Sequence, residues 1–247
     1  FPGGMYVVMT LLTTPKYIPY ATVLANSLQY HAPRLPRVSI MLTNVTSVPG
    51  WKMCAVAPLY AKSIPWERRF RTIHTKLRIF SFVQFEKVLF LDADTLVTSS
   101  LRTMLALPFE STTCVYAAQE IHYGKGFVDE LNTGVILVKP NASLFHKTAL
   151  ALSEYDERTR GGQPFFTRSF RACANTLDIT YHGNIAIYSW KRYAWPAHLP
   201  TILHFTLFKP SPGVQCGKYE KFCAVWRLHS KSSSTLGATV FKPKSVR

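Results

Sequence analysis

Acidic residues are scarce in this sequence: 13 Asp and Glu stand against 29 Lys and Arg, a formal charge of +16 over 247 residues. Such an excess attracts polyanions, acidic membrane surfaces and anionic substrates. The signatures of dedicated nucleic-acid binding are missing. There is no helix-turn-helix pattern, zinc-finger spacing or aromatic RNA-binding motif, and the basic residues are scattered along the chain. Also absent is any run near the roughly 18 consecutive apolar residues of a membrane span. Phe1 to Met5 lacks the basic-then-apolar pattern of a signal peptide. A start just before a first strand is expected of the trimmed lumenal or catalytic part of a longer protein. No internal repeat is present.

Metal-ligand spacing is missing among the five cysteines, at 54, 114, 173, 216 and 223, which argues against a zinc site. Cys216 and Cys223 bracket a polar, turn-rich stretch, where a short disulfide loop is expected in an oxidising compartment. The sequons Asn44-Val45-Thr46 and Asn141-Ala142-Ser143 fit the secretory pathway.

What is abundant is apolar: 47% of the residues are hydrophobic and 13% aromatic, enough for one full core. Met5 to Leu12 reads as a strand and Thr13, Thr14 and Pro15 as breakers. A helix follows through Ala21, Leu24, Leu28 and His31. Val38 to Leu42 and Met53 to Pro58 read as short strands, with Pro49-Gly50 as a turn between them. The apolar spacing predicts a helix from Thr75 to Val83, leading into the continuous run Lys87 to Leu91 of a buried parallel strand. Further strands are expected at Leu131 to Val138, Leu177 to Tyr181 and Thr201 to Phe205, and helices at Ala142 to Tyr155 and Pro164 to Cys173. The alternation predicts one α/β domain over 1–210, a mostly parallel sheet with helices on both faces. Residues 211–247 follow as a basic wrap or flexible tail.

Ligands in such sheets lie at the carboxyl ends of strands. Asp92 and Asp94 stand at that end of the most apolar strand, and Thr13, Thr14 and Tyr17 follow the end of the first, so these places should face one crevice. Two carboxylates one residue apart suit Mg²⁺ or Mn²⁺ with a diphosphate in the open positions; a solvated strand-end turn is the alternative. His204 ends another apolar run and Lys209 follows five residues later. A third metal ligand and a phosphate-neutralising cation are the chemistry they offer, and for His204 a hydrogen-bonded core position is the alternative.

Five segments, Tyr6 to Tyr17, Thr75-Lys76-Leu77, Phe90 to Thr95, Leu131 to Val135 and His204 to Pro210, occur in the order and spacing of glycosyltransferase family 8. The sequence resembles that family over about residues 5–210. Gly50-Trp51-Lys52, Arg69-Phe70 and His204 to Leu207 resemble its eukaryotic glucuronosyltransferase branch, which contains inositol phosphorylceramide glucuronosyltransferase. The resemblance implies a GT-A fold and a retaining transfer of a hexose or hexuronic acid from a UDP-sugar to a glycan or glycolipid acceptor, with Mn²⁺ or Mg²⁺. It implies that Leu11, Thr13 and Tyr17 hold uracil, with Thr14 beside them. Asp92 would touch ribose and metal, flanked by Ala93, with Asp94 and His204 completing the metal site. Arg69, Lys76 and Lys209 match basic positions near the diphosphate, surface charge being the alternative for Arg69. Asn132 and Gln163 match positions on the sugar side, and a turn role is the alternative for Asn132.

The sequence departs from the family pattern at Arg160-Gly161-Gly162-Gln163, where Gly162 takes the place of an Asp that contacts the donor sugar. A front-face mechanism is therefore expected, with Lys76, Lys209, His204 and the metal stabilising the leaving diphosphate. Asp129 and Glu130 are spare carboxylates near Asn132, for sugar contact or simple solvation. The alternatives are a primer glucosylating its own tyrosine, with Tyr181, Tyr188 and Tyr193 available, and an inactive UDP-sugar-binding protein. The expected location is the Golgi or another secretory lumen, with the cytoplasm as the alternative.

Overall fold

The structure is a computed structural model describing residues 5–42, 47–63, 71–156 and 162–231. Arg69, the first sequon and Arg160-Gly161 lie outside the described residues.

Strand β1 (Tyr6–Leu12) ends at Thr13, and a 3-10 turn over Pro15–Tyr17 leads into helix α1 (Ile18–His31). Pro19, in the first turn, needs no hydrogen-bonded N–H there, and Pro33 follows the C-terminal end. Strands β2 (Arg37–Met41) and β3 (Lys52–Ala55) extend the sheet to one edge, each parallel to its neighbour. The segment expected as an α-helix from Thr75 is instead a 3-10 helix, Ile73–Ser81. It buries His74, Thr75, Lys76, Leu77, Ile79 and Phe80.

Strand β4 (Lys87–Leu91) is buried along its whole length and pairs parallel with β1. Short strand β5 (Thr95–Val97) and helix α2 (Arg102–Leu105) follow. Then β6 (Val115–His122) and β7 (Gly126–Val138) form a long hairpin, and β7 runs antiparallel to β4. The expected strand at Leu131 thus begins five residues earlier. Helix α3 (Ala142–Glu154) is capped by Asn141, whose side chain accepts from the Leu144 N–H. Helix α4 (Gln163–Phe170) places Pro164 in its first turn.

After α4 come β8 (Ala174–Thr176), β9 (His182–Asn184), α5 (Ile185–Trp190), β10 (Ile202–His204) and α6 (Glu220–Ser230). No strand forms at Leu177–Tyr181; it is a connection in which the Asp178 carboxylate accepts from the Thr180 N–H and hydroxyl. Local side-chain bonds of this kind compete with pairing. The main sheet has the order β3-β2-β1-β4-β7-β6-β8, four of its six pairings being parallel. A second sheet, β5-β10-β9, lies at the end of β4.

Neighbouring residues of the central strands point into different cores, as a sheet covered on both faces requires. Val8, Leu89, Leu91 and Leu137 pack with Leu24, Leu28 and Trp51 on the α1 side. Val7, Met9, Val88, Phe90 and Ile136 pack with Phe80, Phe166 and Phe170 on the other. A third core joins Val23, Leu203 and Phe205 to Phe222 and Trp226 of α6, so Glu220–Ser230 of the expected tail is a docked helix. Disulfides link Cys114 to Cys173 and Cys216 to Cys223, while Cys54 is buried and free. Among the described residues no helix is long and apolar enough to cross a membrane.

Candidate functional site

The carboxyl ends of β1 and β4 are adjacent, and the residues leaving them line one cavity of about 150 Å³. Leu11, Thr13 and Tyr17 form one side, and Lys76, Asp92, Ala93 and Asp94 the other, with Ile73 between. Thr14 starts the 3-10 turn that orients Tyr17, accepting the Tyr17 N–H through its carbonyl at 3.3 Å, and does not itself line the cavity.

Asp92 is held by its backbone, whose N–H donates to the Gly134 carbonyl of β7 at 2.8 Å. Its carboxylate receives the Lys76 ammonium at 3.2 Å. That lysine is nearly buried and also donates to the Thr133 carbonyl and hydroxyl at 3.0 and 3.1 Å. Asp94 lies opposite β10 because the Phe205 N–H donates to its carbonyl. Its side chain faces the His204 ring at 3.5 Å and pairs with Lys209, which also donates to the Phe205 carbonyl. Burial alone would push the Asp94 carboxyl up. The charges and hydrogen bonds of His204 and Lys209 outweigh it and hold the group well below the usual carboxylate range.

Asp92, Asp94 and His204 each offer a ligand atom, all within 4.8 Å of one another. Two carboxylate oxygens and an imidazole nitrogen fit a divalent cation such as Mn²⁺ or Mg²⁺. His204 is positioned by two features that the motif does not reveal. Its Nδ1 meets Nε2 of the buried His182 at 3.1 Å, the rings stacked at 5.2 Å. Burial and the charge of His204 hold His182 well below the usual histidine range, so it is a neutral partner. With Nδ1 donating to His182, a bound cation would take the place of the Nε2 proton that faces Asp94, the arrangement a ligating histidine needs. Gly134 supplies the room: a Cβ there would lie 2.1 Å from His204 Cε1.

The Asp92, Asp94 and His204 cluster also borders a larger cleft of about 310 Å³ that includes Glu120, Asn132, Gln163, Trp190 and Lys209. Glu120 organises its floor. The carboxylate accepts from Asn132 Nδ2 at 2.8 Å and from Gln163 Nε2 at 2.5 Å, while Asn132 Oδ1 accepts from the Gly134 N–H at 2.9 Å. Glu120 sits within β6 in no recognisable motif, between Gln119 and Ile121, and nothing in the local sequence singles it out. Gly162 caps α4 against the 3-10 helix, where a Cβ would come within 3.1 Å of Ile73 and 3.3 Å of His74.

The spare carboxylates turn elsewhere. Asp129 pairs with Arg171 and Glu130 lies 4.0 Å from His122. Of the three tyrosines, Tyr193 is exposed, Tyr188 lies under the Arg192 guanidinium at 3.7 Å, and Tyr181 packs at the edge of the α1-side core.

Residues 8–210 match the model of a family described as Glycosyl transferase family 8. The chain is 28% identical over 116 residues to inositol phosphorylceramide glucuronosyltransferase 1 of Arabidopsis thaliana, covering 47% of this chain and 20% of that protein. It is 31% identical over 123 residues to glycogenin-1 of Mus musculus, covering 47% of this chain and 34% of that protein. The matches thus span only 20% and 34% of these relatives. Among solved structures, the glycosyltransferase GlyE of Streptococcus pneumoniae TIGR4 superposes with a TM-score of 0.68 at 21% identity, over 94% of this chain and 61% of that one. The galactosyltransferase LgtC, in complex with donor and acceptor sugar analogs, gives 0.60 at 15%, over 91% and 96%. These likenesses establish a GT-A-type fold.

Proposed function

Because the chain belongs to glycosyl transferase family 8, we propose that it moves a hexose or hexuronic acid from a UDP-sugar to a separate glycan or glycolipid acceptor with retention of configuration. One observation carries the reading. A single cavity brings the Tyr17 ring, Leu11 and Thr13 at the end of the first strand together with a carboxylate pair and a buried lysine, and this set continues into a second, polar cleft. Uracil fits beside Tyr17, Leu11 and Thr13, and the diphosphate beside Lys76 and Lys209. Arg69 joins these cations on family resemblance alone.

Asp92, Asp94 and His204 would hold the divalent cation, which supplies Lewis-acid stabilisation of charge on the leaving diphosphate. Lys76 and Lys209, now paired with those carboxylates, are placed to neutralise diphosphate oxygens as that charge grows. Asn132 and Gln163, oriented by Glu120, hold sugar hydroxyls. With glycine at 162, the geometry favours front-face attack. The acceptor oxygen bonds to the anomeric carbon as the bond to diphosphate breaks, and the acceptor proton passes to the departing phosphate oxygen. Two disulfides support a secretory lumen such as the Golgi, and the +16 charge favours an anionic acceptor or an acidic membrane surface.

Isothermal titration of UDP with and without Mn²⁺, followed by hydrolysis of UDP-glucose, UDP-galactose and UDP-glucuronate, tests the reading. Metal-dependent binding with turnover of one donor is expected. Binding without turnover, even with acceptors present, would make the chain an inactive UDP-sugar-binding protein, a reading that Gly162 favours. Absence of binding removes the proposal.

A further inference from the structure

Beside the larger cleft, reached through Trp190, lies an aromatic and basic turn. Trp190, the last residue of α5, lines the cleft that also holds Asp92, Asp94 and Glu120. The Tyr123 ring meets it edge to face at 5.5 Å and is 80% exposed. Tyr123 opens the turn Tyr123-Gly124-Lys125 between β6 and β7, and Lys191 lies across the residue that closes it. A Cβ on Gly126 would fall 3.0 Å from Lys191 Cε and 3.4 Å from Nζ. Lys125 is exposed and Lys191 half-buried. Among the described residues neither pairs with a carboxylate, the nearby acids being engaged by His122 and Arg171.

A half-exposed indole with a tyrosine against its edge offers a flat, amphipathic face on which the C–H side of a pyranose ring packs. Two ammonium groups bordering one turn without a counter-charge repel each other, and an anion set between them relieves the repulsion. Lysine acts there as a point charge, indifferent to whether the anion is carboxylate, sulfate or phosphate.

We propose that Trp190 and Tyr123 form the acceptor subsite and that it takes a sugar or cyclitol bearing an anionic group, held by Lys125 and Lys191. The proposal rests on the transferase reading above and adds the acceptor's chemical class and place.

The test titrates three probes into protein saturated with UDP and Mn²⁺: a disaccharide ending in glucuronate, its glucose counterpart, and inositol 1-phosphate. At least one acidic probe is expected to bind about tenfold more tightly than the neutral one. The two acidic probes distinguish a glycan carboxylate from a lipid-type headgroup. Lys125→Ala/Lys191→Ala should erase the preference. Lys139→Ala/Lys147→Ala, which removes two exposed lysines elsewhere for the same net charge, should keep it. Trp190→Ala should weaken acidic and neutral probes alike. Equal binding of acidic and neutral probes, no binding of either acidic probe, or equal losses in the two double variants overturns the proposal. UDP titration of the same samples separates the failures. UDP bound without acidic preference sinks the subsite alone, and no UDP bound to the unmodified chain sinks the transferase reading and this proposal with it.

Discussion

Glu120 and Gln163, 43 residues apart in the chain, meet side chain to side chain at 2.5 Å, and the same carboxylate holds Asn132 at 2.8 Å. A buried anion accepting from two amides fixes which end of each amide faces the cleft. Glu120→Gln keeps the shape but brings amide donors where an acceptor was needed. The expected cost is about 1–2 kcal/mol of stability. A fall in kcat/KM of about 10- to 100-fold, with UDP affinity within about twofold, should accompany it if Asn132 and Gln163 orient sugar. Steady-state kinetics beside UDP titration reads this, and a parallel loss of UDP binding would place Glu120 in the nucleotide site instead.

Asp94→Asn removes the charge shared by His204 and Lys209. Metal-dependent UDP affinity should fall more than about 100-fold, beyond the usual effect of outer partners, while the circular dichroism spectrum stays unchanged. Titration with and without Mn²⁺ decides it, and unaltered metal-dependent binding would falsify the assignment of Asp94 to the metal set.

Gly134→Ala tests the same centre by volume rather than charge. Its Cβ would fall 2.1 Å from His204 Cε1, so the ring has to leave its place between His182 and Asp94. A stability loss of about 1–3 kcal/mol is expected for overpacking of this kind. Metal-dependent UDP binding should be lost with it. Chemical denaturation and titration on one sample report both; retained binding would mean that His204 is not needed where it stands.

The docking of α6 on α1 carries a pH dependence. His31 and His229 face each other at 5.8 Å beside Tyr30, and Asn26 donates to the His229 carbonyl at 2.8 Å. Burial lowers the pKa of both rings, and the charge of His31 lowers that of His229 further. Each ring therefore stays neutral to lower pH when folded than when unfolded. The stability it contributes is present above about pH 6.5 and is lost as the pH falls below that value. Thermal unfolding at pH 7.5 and 5.0 should show a larger drop in Tm for the unmodified chain than for His31→Gln/His229→Gln; equal drops would assign the acid sensitivity elsewhere.

The parts of the fold legible in the sequence are those where one strong local signal decides. The unbroken run Lys87 to Leu91 announces a buried strand, and the carboxylates after it announce the site. Thr13 and Tyr17 were legible because a breaker cluster follows an apolar strand. The 3-10 winding of Ile73–Ser81 was not, since its apolar spacing also satisfies an α-helix and the difference lies in how tightly the segment fits beside α3 and β1. Glu120 and His182 were silent because each is defined by a partner far along the chain, Gln163 and His204. The hairpin tip did carry a signal, Gly124-Lys125-Gly126, with both glycines at positive φ. Cys114 and Cys173 meet only because β6 and β8 pair, which spacing does not encode.

That last bond divides the site into two territories. Every member of the Glu120, Asn132 and Gln163 cluster lies inside the covalent ring closed between Cys114 and Cys173, whereas Asp92, Asp94, His204 and Lys209 all lie outside it. Opening the ring restores the freedom of a 59-residue loop, worth about 4 kcal/mol in the chain-entropy picture. That freedom belongs to the unfolded chain, so a reductant lowers the stability of the whole domain, and the Cys114–Cys173 bond ties the Glu120 cluster to the metal-ligand candidates outside the ring as one folding unit.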